Sequence, residues 1–99
     1  MGDVRQVALG VARWAARQVI PASRKRIRDQ LGRAADSMVL NIAEGAGHDP
    51  GESRRHHFGI AAGSAAELCA ILDLVVLPGA EEQQVELRRV GAMLARMTR

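Results

Sequence analysis

Apolar residues recur along this chain at spacings of three and four, the period of an α-helix that buries one face. Val4, Val7, Val11, Ala15 and Val19 form the first such stripe, and Ile27, Leu31, Ala34, Met38 and Ile42 the second. A third passes through Phe58, Ala62, Ala65, Leu68 or Cys69, Leu72 and Val76; a weaker fourth uses Val85, Val90, Met93, Leu94 and Met97. Breaks at Ile20-Pro21-Ala22-Ser23, at Gly45 to Gly51 and at Pro78-Gly79 separate them. The pattern predicts four helices, over about residues 3–19, 24–44, 52–77 and 80–98, in one domain spanning residues 1–99. Ser23 is expected to cap the second helix, Gly45 to end it, and Pro78-Gly79 to stop the third. Glu81 and Glu82 fall at the positive end of the fourth helix dipole, with Arg96 and Arg99 near its negative end. Short connections make consecutive helices neighbours of opposite direction. The expected architecture is all-α, an antiparallel up-down-up-down four-helix bundle.

Two helices offer more apolar surface than such a bundle hides. Ile60, Ser64, Glu67, Ile71 and Leu74 flank the main stripe of the third helix, and Leu9, Ala12, Ala16 and Ile20 that of the first. Unmatched apolar flanks mark an interface, and small residues let helices approach closely, so a homo-oligomer is expected. A membrane span over Gly59 to Leu77 is disfavoured by Glu67 and Asp73, each costing about 2.5–3.5 kcal/mol at a bilayer centre. A cytoplasmic protein without a membrane partner is the expectation.

Composition narrows the chemistry. With one Trp, one Phe and no Tyr in 99 residues, the chain cannot build the aromatic platforms on which single-stranded bases stack. The lone Cys69 forms no internal disulfide and belongs to no Cys/His zinc array; mid-stripe, it reads as a small buried hydrophobe. His48, His56 and His57 cluster around the second break, but adjacent histidines on a helix diverge by about 100°, which favours solvated side chains over metal ligands. No metal, no cofactor and no catalytic residue is expected.

Polar residues inside the apolar helices form the first candidate constellation. Ser37, Asn41 and Glu44 share one helix face, and Ser64 and Glu67 lie a turn apart on the next helix. Buried polar groups are costly unless paired, so the set reads as a hydrogen-bonded network fixing helix register. An acid/base or metal site on Glu44 or Glu67 is the weaker alternative, because a di-iron bundle needs Glu-x-x-His and neither residue has it. The second constellation is basic. Arg24, Lys25, Arg26, Arg28 and Arg33 crowd the start of the second helix, beside Arg13 and Arg17 at the end of the first; Arg54 and Arg55 stand at the opposite pole. Repeated around an oligomer, these residues would hold the phosphate backbone of RNA or DNA without reading sequence. The rival reading is a protein-interaction module that docks a partner enzyme and touches no nucleic acid.

The hairpin of the second and third helices reads QLGRAADSMVLNIAEGAG from Gln30 to Gly47 and FGIAAGSAAELCAILDL from Phe58 to Leu74. It resembles the small four-helix-bundle family encoded in intervening sequences of large-subunit ribosomal RNA genes. That superfamily includes the accessory variability determinant proteins of diversity-generating retroelements. The likeness is densest at Asp36-Ser37, Asn41 to Gly45 and Gly63 to Leu68. It implies a barrel-like homopentamer with a central channel, and, by the retroelement members, an accessory protein that binds RNA and a reverse transcriptase through a basic surface.

Overall fold

The computed structural model describes residues 3–98, among which there are four α-helices and no strand. α1 covers Val4–Ala16, α2 Lys25–Ala46, α3 Glu52–Leu74 and α4 Ala80–Met97, and a 3-10 turn over Ala22–Arg24 leads into α2. Arg99, expected near the end of the last helix, lies outside the described residues. α1 begins on a reciprocal cap that is legible as Asp-x-x-Gln. Asp3 Oδ1 accepts from the Gln6 N–H at 2.9 Å, and Gln6 Oε1 accepts from the Asp3 N–H at 3.2 Å.

Two helices end three residues earlier than their apolar stripes predict. α1 stops at Ala16, and Val19 is 88% exposed instead of joining the core. The Arg17 N–H closes back on the Trp14 carbonyl at 3.1 Å, and Gln18 Nε2 donates to the same oxygen at 2.9 Å. Pro21 then keeps the helix from resuming, because the residue before a proline is pushed out of the helical region. Ile20 turns inward instead and is buried. α3 likewise ends at Leu74: Val75 is extended at φ −126°, ψ 147°, Leu77 precedes Pro78, and Val76 stands fully exposed. In α4, Val85 and Met97 also point to solvent.

The expected caps of α2 shift for equally local reasons. Ser23 sits within the 3-10 turn, and Arg24 occupies the N-cap position without a side-chain cap bond. Gly45 does not end the helix; Gly47 does, its N–H directed at the Ala43, Glu44 and Gly45 carbonyls. The glycine at 45 answers a packing need, since a Cβ there would lie 2.6 Å from two Phe58 ring atoms. Gly79, which caps α4, adopts the left-handed φ of 86° and lies against the Trp14 ring, so both backbone and space require glycine.

Each helix packs on two others: α1 on α2 and α4, and α3 on α2 and α4, with α2 and α3 sharing the largest contact. Val11, Met38, Ile42, Phe58, Leu68, Leu87, Val90 and Leu94 are the largest fully buried side chains. Between them Ala8, Ala34, Ala35, Ala61 and Ala65 keep the helices close. The particle measures 43 × 25 × 18 Å. α3 is long and apolar enough to cross a bilayer by length and composition alone, but Phe58, Ala61, Ala65, Leu68 and Leu72 bury its main stripe in the core.

Candidate functional site

The first candidate site is built where α1 ends and α2 begins. Between Arg13 and Arg33 the sequence places seven cations against a single carboxylate, Asp29. The whole chain carries only +3, so the remaining residues are net negative and the positive charge is strongly localised. Arg13, Arg17, Arg24, Lys25, Arg26, Arg28 and Arg33 are all exposed. Lys25 Nζ lies 2.7 Å from Asp29 Oδ2, and Arg28 Nε 3.9 Å from Asp29 Oδ1. The Lys25 hydrogen bond holds the Asp29 carboxyl below its ordinary range. Arg24 Nη2 donates to the Leu74 carbonyl at 3.4 Å, tying the start of α2 to the end of α3. Arg13, Arg17, Arg26 and Arg33 have no ion-pair partner among the described residues. The α3–α4 side of the same end carries Asp73, Glu81 and Glu82, which confines the basic surface to α1 and α2.

At the other end, Arg54 and Arg55 differ. Arg55 is exposed, whereas Arg54 is half-buried and its Nε donates to the Gly45 carbonyl at 3.3 Å and the His48 carbonyl at 3.0 Å. Carbonyls at a helix C-terminus lack intrahelical donors, so Arg54 closes the end of α2. Its Nε and Nη2 are thus engaged in the fold.

The second candidate site is the seam between α2 and α3. Ser64, the one buried polar side chain among the described residues, donates from Oγ to Ser37 Oγ at 2.9 Å. Asn41 Nδ2 donates to the Ser37 carbonyl at 2.9 Å and faces Ser37 Oγ at 3.2 Å. Asn41 Oδ1 meets His57 Nδ1 at 3.1 Å. The chain of bonds therefore runs Ser64, Ser37, Asn41, His57, and no buried side-chain nitrogen or oxygen among the described residues lacks a partner. Of the residues expected to share the network, Glu67 is exposed and Glu44 is exposed beside His48, with His48 Nε2 3.5 Å from Glu44 Oε2.

His57 is the member that sequence reasoning missed, because its meeting with Asn41 depends on how α2 and α3 align. The His48 and His57 rings stack at 5.4 Å with 5° between planes, and Glu44, His48 and His57 bring ligand atoms within 4.8 Å of one another. Glu44, in the last turn of α2, and His48, just past its end, meet across four residues of local chain. Cys69 is half-buried, its thiol 3.7 Å from the Gln84 carbonyl, while Gln84 Nε2 donates back to the Cys69 carbonyl at 3.0 Å.

Fold and sites together define a small all-α protein of four helices with a localised basic surface and a polar seam between its central pair. A family model described as 23S rRNA-intervening sequence protein matches residues 3–95, and the chain belongs to that family. Neither a curated protein nor a solved structure matches it.

Proposed function

We propose that the chain is a non-enzymatic RNA-binding accessory or scaffold protein, built as an antiparallel up-down-up-down bundle and assembled as a homopentamer. The observation that carries the RNA reading is the concentration of seven exposed cations between residues 13 and 33, five of them without an ion-pair partner among the described residues. Such a surface binds phosphate by releasing counterions, whatever the base sequence. Membership of a family described by an rRNA intervening sequence agrees with it. Labelled RNA retained on a filter with the wild-type chain at low salt is the expected result, and no retention at micromolar protein would exclude the proposal.

Support for a bundle of alternating direction comes from the α2–α3 register, in which Gly45 lies against Phe58 and Ser37 bonds Ser64. Support for assembly comes from α3. Gly59, Gly63, Ala66 and Ala70 form an exposed line of small residues, with Ile60 and Leu40 of α2 also exposed. A Cβ at Gly59 or Gly63 would meet nothing within 4 Å, so the protomer itself has no packing use for glycine there. Glycine inside a helix costs about 1 kcal/mol relative to alanine, and close approach of another copy supplies the missing reason. Gly59→Leu with Gly63→Leu is expected to reduce the sedimenting species to the 10.7 kDa protomer while helicity persists. An unchanged mass would remove this face from the assembly.

A second reading, docking of a partner enzyme such as the reverse transcriptase of a retroelement, draws on three apolar side chains exposed at the basic end: Val19 and Val76 in the two connections and Leu74 at the end of α3. The two readings separate by salt: apolar docking survives ionic strengths that release RNA.

A further inference from the structure

We propose that Glu44, His48 and His57 form a binding site for a divalent transition-metal ion of zinc type, which fastens the end of α2 to the start of α3. Three observations converge on it. The three side chains bring ligand atoms within 4.8 Å of one another, Glu44 from α2, His48 from the short connection at residues 47–51 and His57 from α3. One carboxylate and two imidazoles make a ligand set suited to zinc, with a fourth position left for water.

The third observation is the tautomer of His57. The Ser37 carbonyl has no proton to give, so Asn41 must turn Nδ2 toward it and Oδ1 toward His57. His57 Nδ1 then carries the hydrogen that Asn41 accepts, and in the neutral ring the lone pair is placed on Nε2. Orientation of a ligating histidine by a hydrogen bond at its other nitrogen is the usual outer-shell arrangement of metal sites. Ser64 and Ser37 hold Asn41 in turn, so the polar seam that fixes helix register also presents one preset ligand.

The other two ligands are free to complete the site. The Glu44 and His48 side chains are 60% and 41% exposed, and their mutual distance of 3.5 Å already approaches the roughly 3.3 Å between ligand atoms on a tetrahedral ion. His56 meets the His57 ring edge-on and is exposed, outside the triad.

Zinc chloride titrated into the metal-free full-length protein, followed by calorimetry, tests the site. One ion per protomer is expected. His48→Ala and His57→Ala should each weaken binding at least tenfold, Asn41→Ala about 10- to 100-fold through loss of orientation, and His56→Ala should leave it unchanged. Circular dichroism of each variant confirms that the helices persist, and Glu44→Gln, at an exposed position, gives a ligand loss that does not burden folding. No uptake by the wild type, uptake indifferent to His48→Ala and His57→Ala, or equal loss with His56→Ala would each overturn the proposal.

Discussion

Replacing Arg17, Arg26 and Arg33 together with glutamate is expected to lower RNA affinity by about 100-fold or more near physiological salt. Each phosphate neutralised contributes roughly 0.7 to 0.9 to the slope of log affinity against log salt, and three lost contacts remove about two decades at ~0.15 M before added repulsion is considered. These three residues are chosen because the fold does not use them. They are exposed and have no ion-pair partner among the described residues, whereas Arg24 bonds the Leu74 carbonyl and Lys25 bonds Asp29. Arg54→Glu makes the contrasting variant. Its guanidinium closes the end of α2 on the Gly45 and His48 carbonyls, so its loss is expected to lower the melting temperature more than the RNA affinity. Filter binding and thermal denaturation of the two variants side by side separate the surface from the scaffold. Equal RNA affinity in the triple variant and the wild type would take the α1–α2 end out of the binding site.

The largest effect on stability is expected at Phe58. It is the largest fully buried side chain and lies between α2 and α3, against Gly45. Phe58→Ala should cost about 3–5 kcal/mol, a large fraction of the stability of a domain this size. Gly45→Ala should cost about 1–3 kcal/mol, although alanine is the better helix former, because the new methyl would start 2.6 Å from the Phe58 ring. The two sites are in contact and therefore do not add. Gly45→Ala on a Phe58→Leu background is expected to be cheaper than on the wild type, since the shorter side chain vacates the space the methyl needs. Urea denaturation of the four proteins in this cycle measures the coupling. Strict additivity would mean that Gly45 is present for some reason other than the ring.

What was legible in the sequence follows from which interactions are local. The stripes through Val11, Leu31, Met38, Ile42, Phe58, Leu68, Val90 and Leu94 predicted both helices and core, because a period near 3.6 leaves its mark within one segment. Periodicity says nothing, however, about where a stripe stops being helical. Val19 and Val76 continue their patterns yet lie in the connections, each two residues before a proline that the helix does not reach. Gly45 reads as a helix end by residue type alone, and only the position of Phe58 on a different helix explains its place inside α2.

The same division holds for the sites. The basic cluster is contiguous in sequence and was visible there, but the engagement of Arg54 with carbonyls six and nine residues away was not. Ser37, Asn41 and Ser64 stood out as polar residues in apolar helices. Their link to His57 requires the register of α2 against α3, which no spacing within either helix contains.

The slope of RNA affinity against salt measures the central claim most directly. For the wild-type chain, a plot of log affinity against log salt concentration from about 50 to 200 mM should fall with a slope of roughly −3 or steeper, as the arginines of the α1–α2 end release counterions on meeting phosphate. A flat line over that interval, with RNA still bound, would mean that the cations between residues 13 and 33 do not contact the backbone, and would contradict an electrostatic origin for RNA binding by this protein.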